Sequence, residues 1–460
     1  YCTLTARIDP AGGWVRFAYD EEGRFTREGR PYLDTPIDSP DDQAVVVAKD
    51  YTPVDKGDRD AEQDRHRLRL VIKTINGIET ARTYSAYIRE KNGARTEITE
   101  RCTHQGSPYG HPTNLKTVTR YYSRKGDGPQ AGKIKSRLSE DGRLSTTTYE
   151  NGRFQLSPDP AKCLFIPGKG KATRATVTHG TAEHPEGISY QTTRETTITD
   201  GMGLEKMRET FVRTEEGFAR IDWQFNTHDR VGKVIETLHA NGTRTENEWG
   251  CCGKTSETDR EGITIRYTYD DLKRMIAQTN EATGIVTTYT YDAVGRRLTS
   301  TQSNEGLSLT QKSRYDTAGR LTAQVDAAGL VTRYAGEKDR SIVTHPGGAT
   351  EISTRHLDGK TRSVTGTGVV PRFYRYGVNP DGSQWTTVLI GKDCSPRWEK
   401  TTRDLVGRVI RVEKPGFSDI ETTRNLYNDK GRLIRKETPG RAATLYEYDS
   451  LGRATRTGLD

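Results

Sequence analysis

The sequence predicts an all-β protein in which tandem antiparallel β-hairpins coil into a long curved sheet, shell or rod. A six-residue pattern, Tyr-Asp-x-x-Gly-Arg, returns at a period of about 22 residues, in the range that marks repeat arrays. Hydrophobic residues make up 32% of the 460 residues, which is too few for a thick core from end to end, whereas Thr, Val, Ile and 22 Tyr favour strands. No segment shows sustained helical periodicity. The faces of the sheet are therefore expected to be largely polar.

The pattern is complete at three places in the second half of the chain. These copies are YDAVGR (Tyr291, Asp292, Gly295, Arg296), YDTAGR (Tyr315, Asp316, Gly319, Arg320) and YDSLGR (Tyr448, Asp449, Gly452, Arg453). Close variants begin at His228, Trp249, Tyr269, Arg355, Arg403 and Tyr427, and the copy at Tyr269 has Lys273 in place of the glycine. Residues 221–460 are therefore interpreted as regular repeats of about 22 residues.

Each copy is expected to form a tight turn between two antiparallel strands. The Asp side chain can accept hydrogen bonds from backbone amides just ahead of it, and the Gly adopts a positive φ at little cost. Together they predict a type I turn followed by a left-handed glycine, a common hairpin connection. The Tyr before the turn and the Arg after it are expected to stack across the two strands. A second turn lies midway between copies, for example at Asp259 and Asp326.

Residues 1–220 are interpreted as a more degenerate β region of the same kind, with loop insertions. YDEEGRF at residues 19–25 is a full copy of the pattern, and YENGRF at 149–154 is a partial one. Two insertions interrupt the period: residues 32–65 are rich in Asp and Pro, and residues 157–173 contain FIPGKGK.

The repeated motif resembles the YD repeats, also called Rhs repeats, of bacterial polymorphic toxins, of shell subunits of insecticidal toxin complexes and of animal teneurins. The resemblance is good over about residues 221–460 and weak over 1–220. It implies a hollow β-sheet shell that encloses polypeptide, often a C-terminal toxin. Toxin-bearing members carry a DPxGL-type segment linked to aspartyl self-cleavage. The 460 residues contain no such segment, so no catalytic Asp and no cargo are carried over from the resemblance.

No enzyme activity is predicted. The sequence has no GxSxG, HExxH, phosphate-loop or EF-hand signature, so no catalytic, cofactor-binding or metal-binding residue is assigned. The net charge is +8, but many basic residues follow a turn glycine with Asp or Glu nearby. This placement favours cross-strand pairing over nucleic-acid binding. No run of 18 apolar residues is present, so no membrane span is expected.

The six cysteines are too sparse for a disulfide scaffold. Cys251 and Cys252 are adjacent and fill the two variable positions of the copy WGCCGK. They are interpreted as turn thiols, one or both of which could form a disulfide. A redox or metal role is the less favoured alternative, and the sequence leaves the connectivity open.

The sequence therefore predicts a non-enzymatic structural protein, a shell or rod segment of a larger secreted or cell-surface protein, with no cofactor. Two alternatives stay open: a toxin-encapsulating shell whose cargo domain is absent from this chain, and a surface adhesin or filament-forming protein that binds glycans or copies of itself. The expected partners are the remainder of a larger parent polypeptide, further copies of the chain, an enclosed polypeptide or a surface glycan. Because unpaired edge strands invite pairing, the last strand is expected to pair with further residues of the parent or with another copy.

Overall fold

The computed structural model describes residues 4–58, 65–125 and 128–460, and it confirms the all-β class. These residues form one antiparallel sheet of 36 strands, with no α-helix among them. Two single-turn 3-10 helices, Asp41–Gln43 and Pro160–Lys162, lie in connections between strands. Cys2 lies outside the described residues.

The strands are numbered β1 to β36 along the chain, and their bounds are Ala6–Ile8, Trp14–Tyr19, Phe25–Arg30, Val45–Asp50, Leu70–Ile75, Ile78–Arg89, Arg95–Arg101, Leu115–Tyr121, Ile134–Leu138, Arg143–Gln155, Leu164–Pro167, Ala172–Thr181, Thr193–Thr199, Glu205–Arg213, Phe218–His228, Val234–His239, Arg244–Trp249, Lys254–Thr258, Thr264–Tyr269, Met275–Asn280, Val286–Tyr291, Arg297–Asn304, Leu307–Tyr315, Leu321–Val325, Val331–Glu337, Arg340–Thr344, Thr350–Arg355, Thr361–Thr365, Arg372–Val378, Gln384–Ile390, Trp398–Arg403, Val409–Pro415, Ile420–Tyr427, Leu433–Glu437, Thr444–Tyr448 and Ala454–Leu459.

The sheet is a meander in which nearly every strand pairs with the next strand of the chain. The exception is β10, which pairs along one edge with both β9 and β11 and along the other edge with β12. The strand β15 crosses residue 220, so the sheet continues without a break from the first half into the second. Strand pairing does not close the sheet into a barrel.

The two insertions of the first half contribute strands as well as loops. The segment 32–65 contains β4, whose Val-rich sequence pairs with β3 and β5; residues 59–64 lie outside the described part. The segment 157–173 contains β11, which pairs with β10 through Phe165 and Ile166. Short apolar runs of β-forming residues therefore join the sheet even where the repeat pattern is interrupted.

Apolar burial is concentrated in the first half of the chain. One cluster joins Ala86, Ile98 and Val118, and a second joins Cys163, Ile198 and Met207. Between residues 221 and 460, all of which the structure describes, the buried hydrophobic residues are Ala323 and Leu389. The second half therefore depends mainly on its backbone ladder and on polar side-chain contacts.

The meander coils so that its later strands return beside its earlier ones. The turn between β27 and β28 meets the loop between β3 and β4: the Leu33 amide donates to the Asp358 carboxylate at 3.1 Å, and the Asp358 amide donates to the Leu33 carbonyl at 3.1 Å. The turn between β31 and β32 meets the end of β7, where Arg101 Nη1 donates to the Val406 carbonyl at 3.4 Å.

The same relation continues along the coil. Gly382, in the turn between β29 and β30, has a φ of +81° and lies so close to β6 that an added Cβ would collide with the Glu79 carbonyl. Arg432 donates to the Asp141 carbonyl, and Arg453 Nη1 donates to the Gln191 carbonyl at 3.2 Å. Successive later turns thus meet successive earlier connections in the same order. We call this line of contacts the seam. Its first contact joins the loop between β3 and β4 to the turn between β27 and β28. The strands β4 to β27 lie between these two connections, so about 24 strands make one turn of the coil.

Candidate functional site

Most copies of the sequence pattern form the same kind of turn. In the copy at Asp292, the Asp292 carboxylate accepts hydrogen bonds from the amides of Val294 at 3.0 Å and Arg296 at 2.9 Å. The Gly295 amide donates to the Asp292 carbonyl at 3.1 Å, and Gly295 has a φ of +88°. The structure therefore has the expected type I turn followed by a left-handed glycine.

The other two complete copies have the same turn. Gly319 and Gly452 both have a φ of +84°. The Arg320 amide donates to the Asp316 carboxylate at 2.8 Å, and the Arg453 amide donates to the Asp449 carboxylate at 2.9 Å. The turn chemistry is thus set locally, by the Asp and the Gly of each copy.

The expected stack between the Tyr and the Arg of one turn is wrong for the copy at Asp292; a cation–aromatic contact within one copy occurs in WGCCGK, where Lys254 Nζ lies 5.5 Å from the Trp249 ring centroid. Because the turn holds an extra residue, the register shifts at Tyr291, whose strand partner is Arg297 and not Arg296. The Arg296 guanidinium instead bends back to its own turn, where Nε donates to the Asp292 carboxylate at 2.5 Å. The aromatic ring that Arg296 contacts belongs to the next copy of the pattern.

The Arg of one copy contacts the Tyr and the turn of the next copy, and we call this arrangement the interlock. The Arg296 guanidinium, held by Asp292, lies 4.9 Å from the ring centroid of Tyr315. The Tyr315 hydroxyl donates to the carbonyl of the first residue of β22 at 3.3 Å, and Arg296 Nη1 donates to the carbonyl of the next turn Asp at 3.3 Å. The turn at Asp292 is thereby fixed to the turn at Asp316 by a cation–π contact and two hydrogen bonds.

The cation–aromatic contact of the interlock and the hydrogen bond of its aromatic side chain recur along the chain, and the bond from the arginine to the next turn Asp recurs at Arg274 and Arg432. The further cation–aromatic pairs are Arg24–Tyr51, Lys233–Trp249, Arg274–Tyr291, Lys360–Tyr376, Arg408–Tyr427 and Arg432–Tyr448, at 4.9, 5.0, 5.0, 5.4, 4.7 and 5.7 Å. In each pair the aromatic hydroxyl or indole N–H donates to the first carbonyl of the strand that follows the cation's turn; these acceptors are Phe25, Val234, Met275, Thr361, Val409 and Leu433. In the sequence, the cation position of these copies holds Arg or Lys and the aromatic position holds Tyr or Trp. This retention of residue class is the pattern from which the interlock could have been predicted.

The interlock is interrupted after Arg320. The next aromatic residue, Tyr334, donates to the Gln324 side chain at 2.8 Å instead of to the backbone. The Arg320 side chain keeps its ion pair with Asp316 but is 71% exposed, whereas that of Arg296 is 32% exposed. The stack on the following tyrosine is therefore what covers the arginine.

Folding favours the ionised form of the Asp292 and Asp316 carboxylates. The Arg320 amide, followed by the Arg320 guanidinium, keeps the pKa of Asp316 below its ordinary value. Burial acts to raise the pKa of Asp292, but the amide and guanidinium of Arg296 together keep that pKa below its ordinary value. These carboxylates therefore act in the structure as acceptors for their own turns.

The adjacent cysteines form a turn of a different kind. The Gly250 amide donates to the Gly253 carbonyl at 2.9 Å, and Trp249 pairs with Lys254, so this hairpin is one residue tighter than the Asp292 turn. The Cys251 and Cys252 sulfurs lie 2.9 Å apart as free thiols. No disulfide links any of the described cysteines, and a bridge at Cys251 or Cys252 stays a prediction.

Within residues 4–58, 65–125 and 128–460, no three His, Cys, Asp or Glu side chains come together as metal ligands. Among the same residues, no helix has the length and apolar character needed to cross a membrane.

Comparison with known proteins gives matches only among solved structures. No protein-family model and no curated protein matches the chain. The chain is similar to a chain of the Photorhabdus luminescens Tc holotoxin pore with a mutated TccC3, at 11% identity over 94% of this chain and 27% of that chain, with a TM-score of 0.37. It is also similar to chains of TcdB2–TccC3–Cdc42 and of TcdB2–TccC3 without its hypervariable C-terminal region, each at 13% identity over 98% of this chain and 23% of that chain, with a TM-score of 0.37. The chain thus spans about a quarter of the length of the structures it matches.

Proposed function

We propose that this chain is a non-enzymatic structural segment that forms the curved wall of a shell within a larger secreted or cell-surface protein. The observation that carries the proposal is the seam, through which the later turns of one continuous sheet contact the earlier coil. A sheet that returns to its own starting strands surrounds a volume, whereas a straight rod does not.

The side chains of the second half support the same role. With Ala323 and Leu389 as its buried hydrophobic residues, residues 221–460 use their recurring side chains to join neighbouring turns. The charged and aromatic residues of the interlock bind the wall's own backbone. A wall held together in this way needs no second layer of secondary structure behind it.

The coil dimension gives a direct test by small-angle X-ray scattering on the full chain. A straight ribbon of 36 strands spaced by about 4.8 Å would be about 170 Å long, whereas a coil with about 24 strands per turn has a diameter on the order of 40 Å. We expect a maximum dimension far below that of the ribbon and the scattering profile of a hollow particle. A maximum dimension near 170 Å would contradict the shell and favour a rod.

The adhesin or filament alternative predicts a different result in the same sample. Light scattering and negative-stain micrographs at increasing protein concentration would show polymers if the chain assembled with copies of itself. The shell proposal expects separate particles of constant size. For the proposed location, surface labelling and cell fractionation of the native host should find the parent polypeptide outside the cytoplasm, and recovery only from the cytoplasm would contradict that part.

A further inference from the structure

The hairpin at Cys251 and Cys252 lacks the turn aspartate of the repeat and carries two adjacent thiols instead. The Asp of the pattern is replaced by Gly250, so this turn has no carboxylate to bind its own amides. The two variable positions, which are exposed in the copies at Asp292 and Asp316, carry thiols here; Cys251 is exposed and Cys252 is half-buried. Neither thiol takes part in the interlock, in which Lys233 stacks on Trp249 and the Trp249 indole donates to the Val234 carbonyl.

The two sulfurs are arranged as a chelating pair. They lie 2.9 Å apart at the tip of one tight hairpin. With bonds of about 2.3 Å from each sulfur to a bound atom, this separation subtends an angle of about 80° at that atom. Such an angle is too narrow for tetrahedral zinc and far too narrow for a linear two-coordinate ion. It suits a trivalent metalloid, whose three bonds stand nearly at right angles to one another.

The neighbouring turn places a cation beside the pair. The pKa of Cys252 lies above its ordinary value, chiefly because of the hydrogen bond with the Cys251 thiol; burial and Asp270 of the next copy act in the same direction, and Lys273 of that copy opposes them. Lys273 also occupies the glycine position of its turn, with a φ of +62°. The thiol pair thus lies at the tip of an accessible hairpin, next to the turn that carries Lys273.

We propose that Cys251 and Cys252 form a vicinal dithiol site for a trivalent, thiophilic metalloid of the arsenic(III) class. Two S–H bonds break and two sulfur–arsenic bonds form. With an organoarsenic oxide, the oxygen leaves with the two protons as one water molecule, and no oxidation or reduction takes place. The site is independent of the shell function, because neither thiol takes part in the interlock or the seam.

Phenylarsine oxide is the probe, and intact-mass spectrometry of the full chain is the measurement. The protein is first reduced with a phosphine under anaerobic conditions and then treated with one equivalent of the probe. We expect one adduct per chain that survives an excess of 2-mercaptoethanol and is removed by 2,3-dimercaptopropanol. A dithiol chelate resists the monothiol because both sulfur bonds must break together, whereas an adduct on one thiol is displaced.

Serine variants locate the site. Cys251→Ser and Cys252→Ser should each lose the monothiol-resistant adduct, and Cys394→Ser, which removes a separate exposed thiol, should retain it. An adduct that 2-mercaptoethanol displaces from the wild type, or that persists in Cys251→Ser, would overturn the proposal. If a variant fails to fold, tryptic mapping of the wild-type adduct decides the question, because the arsenic must lie on the peptide of residues 245–254.

Discussion

The position before the Arg of each turn is filled by glycine at residues 295, 319 and 452, and by Lys273 in one copy. Lys273 adopts the same left-handed backbone as the glycines, with a φ of +62°. A side chain in this region costs about 1–2 kcal/mol, while glycine loses about 0.5–1 kcal/mol through its flexibility in the unfolded chain. The left-handed backbone at Lys273 is therefore unfavourable by itself and is stabilised by the contacts of the surrounding strands.

Lys273→Gly should stabilise the protein by about 0.5–1 kcal/mol, because it relieves the left-handed strain and loses only part of that gain to chain entropy. Urea unfolding followed by tryptophan fluorescence is the measurement. Lys273→Ala is the matched control, since it removes the charge but keeps the Cβ. Equal gains in the two variants would show that the charge, and not the backbone, makes this position unfavourable.

The turn aspartates predict an acid-sensitive array. A carboxyl group whose pKa is lowered by folding contributes stability above its unfolded pKa and loses it as the pH falls through the folded value. Because the pKa of Asp316 lies below the ordinary 3.8, its contribution is complete at neutral pH and is lost below that value. We expect the melting temperature of the wild type to fall steeply between about pH 4 and pH 2.

Asp316→Asn tests the contribution of one turn. Asn428 occupies the same position in another copy and still accepts the Arg432 amide at 2.9 Å, so asparagine keeps the turn but removes the titrating charge. The variant should melt lower than the wild type at neutral pH, and the difference should shrink as the pH falls. A difference that is constant with pH would assign the effect of Asp316 to turn geometry alone.

Neighbouring hairpins are joined by the interlock, and two arginines separate its contribution from that of the turn. Arg296 and Arg320 make the same ion pair with their own Asp, but Arg296 also stacks on the following tyrosine. Arg296→Ala should therefore destabilise the protein by about 1–2 kcal/mol, the sum of a cation–π contact and a hydrogen bond. Arg320→Ala should cost about 0.5 kcal/mol or less. Thermal unfolding compares the two, and equal losses would mean that the stack contributes nothing.

The sequence predicts the hairpins well because their determinants are local. Asp and Gly stand three residues apart in each copy, so turn type and glycine φ follow from the pattern alone. The partner of Arg296 does not follow, because it depends on the extra residue in the turn, which shifts the register at Tyr291. The tighter hairpin at Cys251 is likewise hidden, since WGCCGK keeps the phase of the repeat while it closes between Gly250 and Gly253.

At the scale of the whole molecule, curvature was expected but the seam was not. A long twisted sheet must coil or split, and this holds for any meander of this length. The contact of Leu33 with Asp358 joins residues in unrelated local sequences, and no motif marks either one as a partner. The number of strands per turn is a property of accumulated twist and bulges, which a single repeat does not specify.

Across the seam, the Asp34 carboxylate should protect the backbone amides of the turn between β27 and β28 from hydrogen exchange. The Asp34 carboxylate accepts a hydrogen bond from Arg362 at 2.6 Å, contacts His356 Nδ1 at 2.8 Å and accepts the Leu357 amide at 3.3 Å. Asp34→Ala removes these contacts together and should weaken the seam by about 1 kcal/mol. Hydrogen exchange of the amides in residues 356–360 should then accelerate about 5-fold, since local opening sets the exchange rate.

Glu22→Ala is the control for this experiment. Its carboxylate is 51% exposed, close to the 46% of Asp34, and it pairs with Arg24 inside its own turn. Exchange in residues 356–360 should be unchanged in this variant, because no seam contact is lost. If the Asp34 variant also left the exchange unchanged, the later turns would lie free of the first coil in solution, and the enclosed volume on which the shell proposal depends would be open along its side.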